Sequence, residues 1–253
     1  MEDFGRFRGS HKIEFATDEK DGITVIVGGN GKGKTTIFNA IKNGMGFEGI
    51  EKLEDPLNAR SGVEIEGGKI TNEKEIELCL FPDKEILVGH PGERIEHITK
   101  ENVDDLFIDE MSELLGKYGS YKQHLHFGRN GNSIIYLSGD GKKYEPSMFH
   151  EELKSMIFWL VLKKRFAPKS FVIADDLFHN VSQMFKERIV RALIETGSQI
   201  VLLVSDVQYH AHIPSDVGNA PQKSLKEILT GQMNVKEYNL ISVEEGTKIE
   251  LIC

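Results

Sequence analysis

Residues 24–36 read TVIVGGNGKGKTT, a run of β-branched residues ending in a loop with four glycines, two lysines and two threonines. Gly28, Gly33, Lys34 and Thr35 satisfy the pattern G-x-x-x-x-G-K-[ST]. That spacing serves one chemistry. Glycines let successive backbone N–H groups turn inward onto phosphate oxygens. A helix starting at the end of the loop adds the positive end of its dipole. Lys34 then reaches the β- and γ-phosphates, and the Thr35 hydroxyl becomes a ligand for Mg²⁺. The flanks agree with this reading. GITVIVGG reads as a strand, and KTTIFNAIKNGM reads as a helix with Ile37, Ala40 and Ile41 on one face. A glycine turn that merely contains a lysine lacks that strand-to-helix setting.

Such a loop needs an acidic partner on another strand, on the metal side. FVIADD, at residues 171–176, supplies one: a short apolar strand ending in Asp175 and Asp176. Asp175 is placed to hold Mg²⁺ through water, and Asp176 to act near the attacking water as base or orienter. VSQMFKERIVRALIETG follows as an amphipathic helix closed by Gly197, then QIVLLVSD as another buried strand. Alternating strand and helix implies parallel strands covered by helices, an α/β fold.

The remaining stretches carry weaker signals. HKIEF reads as a strand ahead of the loop strand. Residues 62–90 alternate apolar and polar side chains around Gly-Gly and Asn turn signals, as an antiparallel meander with one wet face would. Residues 101–119 form a charged, helix-prone connector, too short for sustained heptads. HEELKSMIFWLVLKKRF reads as a buried helix with a basic end, with Trp159 in its core. The C-terminal YNLISVEEGTKIELIC reads as a closing hairpin.

Composition narrows the function classes. At 253 residues and a formal net charge of -9, the chain is no general polyanion binder, so nucleic-acid contact needs a local basic patch. Arg6 and Arg8, which flank Phe7, and LKKRF at 162–166 are the candidates. Two cysteines, Cys79 and Cys253, make a disulfide framework improbable and favour a reducing compartment. The apolar run MIFWLVL is too short to span a bilayer, and MEDFGRFRG lacks a signal peptide's apolar stretch, so a cytoplasmic protein is expected. Nine histidines show no metal-ligand spacing, HAH at 210–212 included.

The loop GGNGKGKTT, with asparagine two residues after its first glycine, resembles the ABC-type ATPase heads of the SMC and double-strand-break repair class. It is also similar to RecF and to the DndD ATPase. DFGRFRGSHKIEF resembles the N-terminal NF…G…IEF signature of these heads. The resemblance covers roughly residues 1–50 and 133–210. It implies a P-loop NTPase fold of the ABC-ATPase head type: a mixed or antiparallel β N-lobe meander beside a parallel-sheet core flanked by helices. The lobes would run over residues 1–100 with the P-loop, 101–120 as a connector at the usual coiled-coil insertion point, and 121–253 as the C-lobe, together one composite ATPase domain.

The resemblance also implies site residues. Gly28, Asn30, Gly31, Gly33, Lys34, Thr35 and Thr36 match the phosphate loop. Arg8 matches a basic position that touches nucleotide phosphate or braces the loop. Asp175 matches the Mg²⁺-side aspartate, and Asp176 stands where the family places its catalytic glutamate, one methylene shorter. The signature motif, about S-G-G-E or S-G-G-Q in the family, has two candidates. LSGDG at 137–141 is closer by letters. Ser147, before a helix and 28 residues ahead of Asp175, suits the spacing better, though Met148 and Phe149 replace the glycines. Ser147 also reads as a plain helix N-cap with Glu151. The switch histidine of the family falls at Asp206, which cannot donate to a γ-phosphate, leaving His210 or His179 as substitutes. Gln123 matches the Q-loop glutamine by position alone.

The implied function is an ATPase head that takes ATP and Mg²⁺, hydrolyses slowly, dimerises on ATP, and acts on double-stranded DNA with a nuclease or effector partner. An ATP-dependent switch or defence-module subunit with little hydrolysis is the alternative, favoured by the altered signature, the aspartate base and the missing histidine. A transporter ATPase subunit fits less well.

Overall fold

The computed structural model describes residues 2–4, 6–16, 23–44, 78–81, 86–89, 96–98, 109, 125–130, 133–138, 143–144, 171–178, 183–195, 199–211, 223–231, 235–244 and 246–252. Three short strands open the chain: β1 (Glu2–Phe4), β2 (Phe7–Ser10) and β3 (Ile23–Val27). Helix α1 (Lys34–Gly44) follows β3 directly. Then come β4 (Leu78–Phe81), β5 (Ile86–Gly89), β6 (Glu96–Ile98), β7 (Leu125–Asn130), β8 (Ser133–Ser138) and β9 (Lys143–Tyr144). The last third holds β10 (Phe171–Asp175), α2 (Gln183–Glu195), β11 (Gln199–Val204), α3 (Asp206–His210), α4 (Leu225–Thr230), β12 (Val235–Val243) and β13 (Gly246–Leu251).

One eight-stranded sheet organises these elements, in the order β13-β12-β3-β11-β10-β4-β5-β6. Its five middle strands, β12 to β4, run parallel. β13 on one edge, and β5 and then β6 on the other, each pair antiparallel with the preceding strand. The meander expected at 62–90 is antiparallel where it is described, yet it is no separate layer. β4 pairs with β10 and carries β5 and β6 onto the main sheet. β1 with β2, and β7 to β9, form two small antiparallel sheets. Of the connector at 101–120, only Asp109 lies within the described residues.

The middle strands are central because their sequences leave no wet face. ITVIV in β3 is buried throughout, and so is QIVLLV in β11 after its first residue. Burying each such aliphatic side chain contributes roughly 1.5–3 kcal/mol. The one polar exception in β3, Thr24, is satisfied: its Oγ1 accepts from the Ala16 N–H at 2.8 Å. Alternation sorts the side chains onto two faces. Ile26, Ile173, Val201, Leu203, Tyr238 and Leu240 pack with Ile37, Phe38 and Ile41 of α1. Glu237, next to Tyr238, turns to the opposite face, where it meets Tyr209 of α3. Helix α3 touches α4, and α4 touches α2, so these three form the second covering layer.

The expected strand HKIEF is not one: residues 11–16 join no ladder. Their backbone groups are taken up by side chains instead. Glu14 N–H donates to Tyr238 Oη at 3.1 Å, and the Tyr238 hydroxyl donates back to Glu14 O at 3.0 Å. Gln199 Nε2 donates to Ala16 O at 2.7 Å. Ile13 and Phe15 still pack inward, Phe15 edge-on to Phe171 at 5.3 Å between ring centroids. The alternation is real, but its partners are single side chains rather than a neighbouring strand.

Candidate functional site

The parallel strands end together on one side, and the candidate residues gather there. β3 and β11 are in register from Ile23↔Ile200 to Val27↔Val204. Gly28 N–H extends that ladder by one bond, to Val204 O at 3.1 Å. The chain then turns sharply, with Lys32 N–H bonded to Gly29 O at 3.2 Å, and enters α1 with Ile37 N–H on Gly33 O at 3.0 Å. Gly31 (φ +73°) and Gly33 (φ +105°) take left-handed conformations that other residues adopt only under strain. Gly28 and Gly33 are also pressed from outside. A Cβ on Gly28 would lie 2.9 Å from Leu240 Cβ, and one on Gly33 2.9 Å from the Phe7 ring.

Three side chains arm the loop. Lys34 Nζ folds across it and donates to Gly28 O at 2.7 Å and Gly29 O at 3.3 Å. Thr35 Oγ1, in the first turn of α1, donates to Asp175 Oδ2 at the end of β10, at 3.1 Å. Lys32 Nζ donates to Ser242 Oγ, which ties the outside of the loop to β12. Asn30 and Gly31 are exposed at the tip and Thr36 is half-buried.

The far rim is built from the ends of β10 and β11. Asp176 has φ 58°, a left-handed backbone that aspartate tolerates better than most residues. Its N–H donates to Leu203 O at 3.0 Å. Gln208 Nε2 donates to its Oδ1 at 2.8 Å. Asp206 opens α3, and its Oδ2 lies 3.2 Å from where a Gly29 Cβ would be. Asp175 thus reaches Thr35 and Asp206 lies beside Gly29, while Asp176 is tied to β11 and α3. Lys32 lies on the same side of Gly29 as Asp206, its Cε 3.8 Å from that same Cβ position.

Comparison with solved structures identifies the fold. An SMC head bound to the C-winged helix domain of ScpA superposes with a TM-score of 0.55 at 12% identity, covering 98% of this chain and 94% of that one. This chain has the fold of an SMC-like, ABC-type ATPase head. The SMC head domain from Thermotoga maritima, at TM-score 0.43 and 13% identity, covers 99% of this chain and 96% of that one. A family model described as an AAA domain matches residues 1–124 of this chain. No curated protein matches the sequence.

Arg8 stands exposed on β2 and its carbonyl bonds His11 Nε2 at 2.8 Å, while buried Phe7 makes the contact with the loop, at Gly33. The position expected for a switch histidine, Asp206, puts a carboxylate beside Gly29. His210 is exposed in the last turn of α3, its ring edge-on to Tyr209. Leu137 and Ser138 of LSGDG end β8, and the rest of that stretch lies outside the described residues. Ser147, Gln123, His179, Trp159 and the LKKRF stretch lie outside them as well. Sequence reading missed Phe7 and Gln208. In the sequence Phe7 is only the residue between Arg6 and Arg8, with no motif to mark it. The one local cue for Gln208 is Ser205, an N-cap residue directly after a buried strand, which signals a helix that brings side chains back over the strand ends.

Proposed function

We propose that this chain binds ATP with Mg²⁺ and hydrolyses it slowly, as an SMC-like head. The observation that carries the reading is the Thr35–Asp175 hydrogen bond at 3.1 Å, beside a glycine loop crossed by Lys34. Two hard oxygen donors that close suit Mg²⁺, which prefers oxygen ligands. The left-handed Gly31 and Gly33 supply the backbone conformations that a phosphate-gripping loop requires.

Each residue then has a task. Gly28, Asn30, Gly31, Gly33 and Thr36 shape the phosphate cradle. Lys34 leaves the Gly28 and Gly29 carbonyls for the β- and γ-phosphate oxygens and offsets their charge. Thr35 and Asp175 would hold Mg²⁺, which supplies charge neutralisation to the phosphates when bound. Asp176 orients the attacking water and takes up its proton. The chemistry is positioning and charge balance, and slow turnover is proposed from the shorter Asp176 in the place of a glutamate. Asp206 in place of a donating histidine favours the second reading, an ATP-dependent switch with little hydrolysis.

At the level of the assembly, we infer an ATP-dependent homodimer with Ser147 as the signature-like residue facing the partner's nucleotide. Double-stranded DNA and a nuclease or effector protein are the proposed partners, in DNA repair or processing. The ScpA domain on the SMC head of the comparison structure is a precedent for an effector on such a head. Among the described residues no helix is long and apolar enough to cross a membrane, and a cytoplasmic protein is proposed.

The test measures MgATP binding, phosphate release and molecular mass for the wild type, Lys34→Ala and Asp176→Asn, with and without double-stranded DNA. The ATPase reading expects binding lost in Lys34→Ala, and turnover lost but the dimer retained in Asp176→Asn. The switch reading expects binding and dimerisation with no turnover in the wild type. Absence of MgATP binding sinks both.

A further inference from the structure

Helix α3 carries a residue that no phosphate-loop motif marks. Gln208 Nε2 donates to Asp176 Oδ1 at 2.8 Å. A carboxylate can only accept, so the amide must present its NH₂ end, and the acceptor fixes the orientation of the side chain. The helix that presents it is five residues long, too short to be stable alone, so its pose comes from its ties. Ser205 caps its start, with Oγ accepting from the Gln208 N–H at 3.3 Å. Tyr209, the next residue, has no exposed surface, and its hydroxyl donates to Glu237 Oε2 at 3.0 Å. Glu237, itself buried, is paired with Lys226 of α4 at 3.3 Å. Gln208 therefore lies between a capped start and an anchored ring, on a helix pinned to β12 and α4.

Asp176 is held from the same segment twice. Its backbone N–H is bonded to Leu203 O of β11, and its carboxylate to Gln208 of α3. We propose that Gln208 is a positioning residue for Asp176. It sets the angle of the carboxylate toward the attacking water, and it makes the pose of α3 a control on hydrolysis. This rests on the reading of Asp176 as the group that orients water. The amide is neutral at every pH of interest, so the positioning adds no titration of its own.

The test compares Gln208→Leu and the isosteric Gln208→Glu with the wild type, and with Asp176→Asn alone and combined. Steady-state kinetics are read against MgATP affinity and thermal melting. Expected is a fall in kcat of about 10–100-fold, with KM and affinity within about threefold, as for residues that orient a reacting group. Gln208→Glu should fall at least as far as Gln208→Leu, since it puts a second carboxylate against Asp176. The double variant should be no slower than Asp176→Asn alone, because the two side chains act as one unit. A kcat within twofold of wild type in a folded Gln208→Leu, or losses that multiply in the double variant, overturns the proposal. So does a wild type that binds MgATP without turnover, and that result leaves the binding site intact. Failure to bind MgATP removes the site reading and this proposal together.

Discussion

The two walls of the candidate site are built by different means. The near wall, from β3 to α1, is backbone: left-handed glycines, carbonyls under Lys34, and an external press from Phe7 and Leu240. The far wall, from β11 to α3, is side chain: Ser205 capping, Gln208 on Asp176, Tyr209 on Glu237. A backbone wall tolerates few residue types, so it leaves a pattern in the sequence. A side-chain wall can be assembled from many residue pairs, so it leaves almost none. The same contrast sets how each wall fails. On the proposed reading, substitution in the near wall should alter the loop and with it nucleotide binding, while substitution in the far wall should shift one bond and alter rate.

Phe7→Ala is the sharpest challenge to the near wall. Removing a fully buried ring from behind Gly33 should cost about 3–5 kcal/mol in denaturant melts and weaken MgATP binding. If stability holds and binding is unchanged, the loop does not lean on that ring. Gly33→Ala combines a left-handed φ with a 2.9 Å clash, so a loss of about 2–3 kcal/mol is expected, with binding abolished. Gly31→Ala shares the left-handed φ but meets nothing within 4 Å, and about 1 kcal/mol should measure the conformational part alone. Equal effects at the two glycines would mean that packing adds nothing. On the far wall, Tyr209→Phe removes one bond to a buried carboxylate and should cost about 1.5 kcal/mol. Phosphate release should drop while MgATP affinity stays level, the reverse of the Phe7 pattern.

The smallest effect belongs to neither wall and serves as their control. Lys186 of α2 is buried beside Ile189 and Val190, and burial lowers its pKa from the ordinary 10.5. The unfolded chain therefore holds that proton more tightly. The penalty is complete below the folded-state pKa and fades as pH rises from there toward 10.5. Lys186→Met should accordingly stabilise by about 1 kcal/mol at neutral pH, an advantage that shrinks in alkaline melts. Nucleotide binding and turnover should both be unaffected.

Legibility in the sequence followed the same division. β3, α1, β10, α2 and β11 announce themselves because buried parallel strands and amphipathic helices have strong periods, and Thr35 and Asp175 come with them. The C-terminal hairpin was visible too, starting three residues earlier than its alternation indicated, at Val235. HKIEF misled because alternation reports which side chains are inward, not what satisfies the backbone between them. The union of β4, β5 and β6 with the main sheet was hidden, since strand order depends on contacts between distant residues. Gln208 was hidden for the reason given above: a single amide on a five-residue helix has no period and no required neighbour in sequence.

The placement of β12 has a kinetic corollary. Ile23, just ahead of the glycine loop, is paired with Val235, more than two hundred residues further along the chain. Leu240 of the same strand fills the space over Gly28. During synthesis, then, the loop emerges early and stays without two of its supports until the ribosome has translated that distant strand. If the loop grips nucleotide as proposed, a nascent polypeptide stalled before residue 235 should be inert toward it.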